Sequence, residues 1–183
     1  MRVVGLDLAG KETNESGVCL LEEVDGVKSV TCSIQYSDQQ IHDFIFDVNP
    51  DLVAVDAPLT FGGETRECDR LLANYGALPP TLPGMRSLAD RGKKISESLS
   101  EKNIKSIEVN ARACIKILGV GENKEYGMQK KIMGLDLSGD VNTRLLTRDE
   151  LDAVCCAITG YLHLAGKTRA MGDEDCLIIL PQI

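Results

Sequence analysis

Five acidic residues sit where a chain would need a reason to put them. Asp7 sits near the end of the apolar run Arg2–Gly10 (RVVGLDLAG), Asp56 near the end of Leu52–Ala57 (LVAVDA), and Glu108 comes late in Ile104–Val109 (IKSIEV). Asp149 and Asp152 follow within DELDA, three residues apart. Short runs rich in β-branched residues and closed by Gly or Pro read as strands buried on both faces. A carboxylate in such a run is costly unless a cation, a second acid sharing one, or backbone donors compensate it. Acids brought together from several strands and a helix suit hard Mg²⁺ or Mn²⁺. Two such ions about 4 Å apart can stabilise both the attacking and the leaving oxygen of a phosphoryl transfer. Asp7, Asp56, Glu108, Asp149 and Asp152 are therefore the candidate catalytic set, with Asp7, Asp56, Asp149 and Asp152 as metal ligands. Each acid also has a plain structural reading. Asp7 can make a turn, Asp56 can end a strand before Pro58, and Asp149 suits a first helical turn. Glu150 reads as a cap.

The elements that must position these acids follow from periodicity. After the first strand, Val18–Val24 and Val27–Ile34 flank Asp25-Gly26, a strong hairpin signal, so the chain opens as a three-stranded antiparallel meander. Ser37 and Gln40 form a capping box, and Ile41, Phe44, Ile45 and Val48 mark one helical face that Asn49-Pro50 ends. Leu52–Ala57, reached through that helix, is expected parallel to the first strand. Thr65 is the expected cap of a short helix carrying Cys68, Leu71, Leu72 and Tyr75. Gly76–Gly84 is a stiff loop, and Arg86–Lys102 a weakly patterned helix. The strand Ile104–Val109 and a helix at Ala111–Leu118 come next. Residues 119–139 are Gly- and Lys-rich and carry no clear period. Thr147 and Glu150 make a second capping box, ahead of a stripe of Leu151, Val154, Cys155, Ile158, Leu162 and Ala165. Cys176–Leu180 reads as a last strand. The expectation is one α/β domain over residues 1–183. It is built on a mixed five-stranded sheet, a three-stranded antiparallel meander plus parallel strands, with helices on both faces. A helical and loop insertion falls at about residues 60–102. In such sheets ligands bind beyond the carboxyl ends of the strands, where Asp7, Asp56 and Glu108 stand.

Composition narrows the function. No apolar run approaches membrane-spanning length, and the first residues enter a strand with no signal peptide, so a cytoplasmic protein without membrane contacts is expected. Seven cysteines without a C-x-x-C, and only two histidines, argue against zinc; most of the cysteines read as small core residues in a reducing compartment. A net charge of −8 argues against broad coating of nucleic acid. Between Arg66 and Lys94, however, six basic residues face three acidic ones. Arg66, Arg70, Arg86 and Arg91 in this segment, with Lys11, are the expected substrate-binding residues, since Arg forks suit phosphate. Gly5–Lys11 also fits the first part of a P-loop, G-x-x-x-x-G-K. The first Gly lies inside the strand and Glu12 stands where Ser or Thr is needed, so the P-loop is rejected.

The strand order and the placement of the acids resemble the RNase H-like fold, including the RuvC-type resolvases, whose D-x-x-D-A element is matched by Asp149-Glu-Leu-Asp152-Ala. More closely, the chain resembles the domain of unknown function 429 family. The matching pieces are GLDLAGK at 5–11, VAVDAPL at 53–59, RECDRLL at 66–72, MRSLADRG at 85–92, IEVNARA at 107–113 and DELDAVCCA at 149–157. Where an aromatic and a Pro would follow the Glu, this chain has Val109, Asn110 and Ala111. The resemblance implies an RNase H-like nuclease dependent on Mg²⁺ or Mn²⁺, acting on nucleic acid or a phosphorylated small molecule. Two other classes compete. An actin-like ATPase would want D-x-G followed by Ser or Thr, and a second lobe for which 183 residues leave little room. A non-catalytic binding module would keep the acids as relics.

Overall fold

The computed structural model describes residues 1–182. Its strands are β1 (Arg2–Asp7), β2 (Ser16–Val24), β3 (Val27–Gln35), β4 (Leu52–Asp56), β5 (Ser106–Val109), β6 (Ser138–Gly139), β7 (Thr168–Asp173) and β8 (Cys176–Pro181). Its helices are α1 (Asp38–Val48), α2 (Glu67–Leu72), α3 (Arg86–Glu101), α4 (Ala111–Leu118), α5 (Glu125–Met133), α6 (Asp140–Thr143) and α7 (Arg148–Leu164). They build one mixed sheet of order β6-β3-β2-β1-β4-β5-β8-β7. The meander forms as expected, with Asp25 and Gly26 at positive φ in its hairpin. β4 lies parallel to β1, and β5 parallel to β4.

The sheet has eight strands rather than five. Two residues of the unpatterned segment form β6 beside β3, and β8 extends the other side, pairing parallel with β5. β7 closes that side as the antiparallel partner of β8. Its sequence, TRAMGD, has no buried residue and so no alternation to read.

Each face of the sheet carries its own core. Val4, Leu6, Val53 and Val55 pack with Ile41 and Ile45 of α1 and Ile95 and Leu99 of α3. On the opposite face Cys19 and Leu21 pack with Leu151, Val154, Cys155 and Ile158 of α7. Both capping boxes are made, by Ser37 with Gln40 and by Thr147 with Glu150. The expected Thr65 cap is not: Arg66 is the N-cap of α2, its backbone N–H donating to Asp69 Oδ2 at 2.9 Å.

The cysteine expectation is corrected at one pair. Cys68 of α2 and Cys176 of β8 form a disulfide, with Cα atoms 6.0 Å apart. It was invisible in sequence because 108 positions separate the two. Cys19, Cys32, Cys114, Cys155 and Cys156 are free and buried, as small core residues would be. Among the described residues no helix is long and apolar enough to cross a membrane.

Candidate functional site

In parallel β1 and β4, Asp7 is the register partner of Asp56. Cross-strand partners share a face of the sheet, so both carboxylates project to one side. That side is the one α7 covers. The helix lies close because β1 and β2 offer it glycines. A Cβ at Gly5 would collide with Ala153 O and Ala157 N, and one at Gly17 with Asp149 O. The first turns of α7 thereby bring Asp149 and Asp152 to the ends of β1 and β4. The turn after β1 is held by other groups. Asn14 N–H donates to Lys11 O at 3.0 Å, and Ala9 N–H to Ser16 Oγ at 3.0 Å. A cleft of about 570 Å³ opens beside Asp7 and Asp149, walled by Leu8–Gly10, Thr13–Glu15 and Tyr36.

The electrostatics mark the four aspartates as one group. Burial, then Asp56, Asp152 and Asp149 in that order, push the Asp7 carboxyl well above the usual range. Burial pushes Asp56 up to about 7, with Asp152 adding to the rise and the Ala111 N–H opposing it. Burial likewise raises Asp152 to about 6, against the pull of Arg148. Asp149 is raised by burial and by Glu15. Asp152 Oδ1 is buried without a hydrogen bond. Arg148 Nε lies 2.9 Å from it in an ion pair, and that contact opposes the rise of its carboxyl. Among the described residues the one trio of potential ligands drawn within 4.8 Å of one another is Cys68, Glu108 and Cys176. Its two sulfurs are already bonded to each other.

Glu108 points away from the group, although its charge still adds to the rise of Asp56. It pairs in register with Val55, one residue short of Asp56, and so faces the α1–α3 side with Val55 and Leu6. There Arg66 grips it as a fork, with Nη2–Oε1 at 2.6 Å and Nη1–Oε2 at 2.9 Å, while Leu59 N–H donates to Oε2 at 2.8 Å. Burial raises its carboxyl; the Arg66 fork opposes the rise. Arg66, expected to bind substrate, is instead held by Glu108 and by Asp69 at 2.8 Å. Arg91 is buried and donates to Asp38 Oδ1 (2.6 Å), Ala9 O (2.7 Å) and Tyr36 O (2.7 Å), locking α3 to the rim of the cleft. The expected substrate contacts therefore divide. Arg66 and Arg91 hold the fold together, whereas Lys11, Arg70 and Arg86 are exposed, Arg70 in an ion pair with Glu67.

Sequence reasoning missed two cations. Arg148 was legible as the i−4 neighbour of Asp152 on one helix. Arg112 also opposes the rise of Asp56 and Asp152, from a helix with no i,i+4 acid to betray it.

No family model matches the sequence, and no curated protein matches it. Solved structures do. The chain is similar to Thermus thermophilus RuvC in complex with a Holliday junction substrate, at TM-score 0.56 and 10% identity, covering 91% of this chain and 97% of that one. It is also similar to a second Thermus thermophilus RuvC structure, at TM-score 0.53 and 12% identity with the same coverage. The likeness agrees with the strand order around β1, and the chain has the RNase H-like fold.

Proposed function

We propose that this protein is a metal-dependent phosphodiesterase, a nuclease of the RNase H-like kind, and a member of the family it resembles in sequence. The observation that carries the reading is Asp7 beside Asp56 in register, with Asp149 and Asp152 delivered to the same face by α7. The donor set fits Mg²⁺ or Mn²⁺: it is all carboxylate oxygen, burial and then mutual repulsion raise its carboxyls, and it includes a buried oxygen, Asp152 Oδ1, whose close partner is the Arg148 guanidinium. Asp7 and Asp56 would hold the ion, with Asp149 or Asp152 completing its ligands. A bound divalent ion would supply Lewis-acid stabilisation of the charge developing on the phosphoryl oxygens. The chain's own contribution is to fix those carboxylates on rigid strand ends and a helix. It also keeps their last protons titrating near neutrality, at about 7 for Asp56 and about 6 for Asp152.

For substrate, the junction-bound RuvC neighbour supports nucleic acid. A second reading, hydrolysis of a small phosphoester, is favoured by the internal positions of Arg66 and Arg91, which thin the basic surface of a chain of net charge −8. One experiment covers both. Purified protein is incubated with a labelled four-way DNA junction, duplex DNA, single-stranded DNA and RNA, and bis-p-nitrophenyl phosphate, in Mn²⁺ or in EDTA. Cleavage in Mn²⁺ that EDTA and Asp7→Asn both abolish is the expected result. Inertness toward all five in Mn²⁺ and in Mg²⁺ removes the catalytic reading.

A further inference from the structure

The first residue of α7 is a cation in a place that disfavours one. Helix N-termini carry partial positive charge, which acids complement and arginines oppose. Yet Arg148 opens α7, and its Nε reaches down one turn to within 2.9 Å of the buried Asp152 Oδ1. Its far side is tethered outside the helix, Nη1 donating to Glu122 O at 3.3 Å. The side chain is 41% exposed, so it has solvent to move into. The other cation near the group, Arg112, is fastened away from it by Nη1–Gly76 O at 2.8 Å.

We propose that Arg148 is a resident counter-cation of the aspartate group, a positioning residue that holds Asp152 in the metal-free protein and sets how tightly a divalent ion is bound. It rests on the metal-site reading above. An ion held by the group would compete with the guanidinium for Asp152 Oδ1, the oxygen that Arg148 Nε faces at 2.9 Å. The opposition of Arg148 to the upward shifts of Asp7, Asp149 and Asp152 fits that position, since one charge is felt at three acids.

The test is isothermal titration of the intact protein with MnCl₂ alone at pH 8 and low salt. The samples are wild type, Arg148→Gln, Arg148→Lys, and Lys130→Gln, which makes the same charge change on the exposed side of α5. Two unit charges within several ångströms at a protein surface interact strongly enough that removing one shifts a Kd by roughly 5-fold or more. Arg148→Gln is expected to bind Mn²⁺ at least about 5-fold tighter, with Arg148→Lys and Lys130→Gln within about 2-fold of wild type. In EDTA, Arg148→Gln is also expected to melt below Arg148→Lys, because its acids have lost their counter-charge. If wild type binds Mn²⁺ and Arg148→Gln binds it equally or more weakly, the inference falls and the metal site stands. If neither protein binds Mn²⁺, the metal site falls as well.

Discussion

Buried acids of two kinds occur in this protein, and they should respond oppositely to the same substitution. Glu108 and Glu150 are each gripped by an arginine. Arg144 holds Glu150 at 2.6 and 3.1 Å, while Thr147 N–H donates to it at 2.9 Å, and these partners keep its carboxyl below the usual value against the push of burial. Asp7 has like charges for neighbours instead. Asp7→Asn removes repulsion at almost constant shape, so in EDTA the variant should melt no lower than wild type. Its Mn²⁺ affinity should fall on the order of 10–100-fold, and cleavage with it. Glu150→Gln and Glu108→Gln should do the reverse, each lowering stability by about 1–3 kcal/mol with the cleavage rate per folded molecule kept. Melts in EDTA beside rates corrected for folded fraction separate the two kinds. A clear loss of stability in Asp7→Asn would return that residue to a structural role.

At the scale of elements, α7 is what assembles the group, and its seat is made of glycine. Gly17→Ala would drive a methyl into the Asp149 carbonyl, so the start of α7 must lift from β2. Overpacking of this kind costs about 1–3 kcal/mol, and here it should also weaken Mn²⁺ binding, because Asp149 and Asp152 move with the helix. Unchanged affinity in a destabilised Gly17→Ala would mean the helix acids are not ligands. The insertion is fastened separately. The Cys68–Cys176 disulfide ties α2 to β8 across the chain, a closure worth about 2–4 kcal/mol. Reduction should lower the melting temperature by roughly 5–15 °C, Cys68→Ser should match that loss without reductant, and Mn²⁺ affinity should persist in both. These elements were not equally legible in sequence. The hairpin, both capping boxes, β1, β4 and α7 announce themselves through turn residues and periodicity, and with them four of the five acids. The misplacement of Glu108 has a geometric source: the chain shows that an acid ends a strand, but not that its register falls one residue short and turns it to the other face. Charge counting failed at Arg66 and Arg91 for a related reason. It tallies cations without seeing that Glu108 and Asp38 come from elsewhere, and Asp69 from the next turn of the same helix, to claim them.

For the whole molecule, the aspartate group should make stability run against pH in the absence of metal. Asp7, Asp56 and Asp152 are all raised above the ordinary value of 3.8. Between that value and their native one the folded chain binds more protons than the unfolded chain. Their contribution is fully present below about pH 4 and is lost as pH rises through about 6 for Asp152 and about 7 for Asp56. Glu150 has the opposite sign: its lowered carboxyl contributes stability above its usual value and loses it as pH falls, so the clean window begins near pH 5. Across pH 5 to 8 in EDTA the melting temperature should drop by roughly 5–10 °C. A net charge of −8 adds general self-repulsion in the same direction, so the slope alone does not isolate the site. Metal does. Mg²⁺ at about 100 times its Kd stabilises a folded protein by about 2.7 kcal/mol, roughly 5–11 °C for a chain of this size. Because protons compete for the same oxygens, that gain should be near its full value at pH 8 and small at pH 5. Ions that merely screen net charge would act alike on Asp7→Asn, whereas site binding predicts that this variant keeps the background slope and loses most of the Mg²⁺ gain. A wild type whose melting is indifferent to Mg²⁺ at pH 8 would leave the four aspartates without their ion.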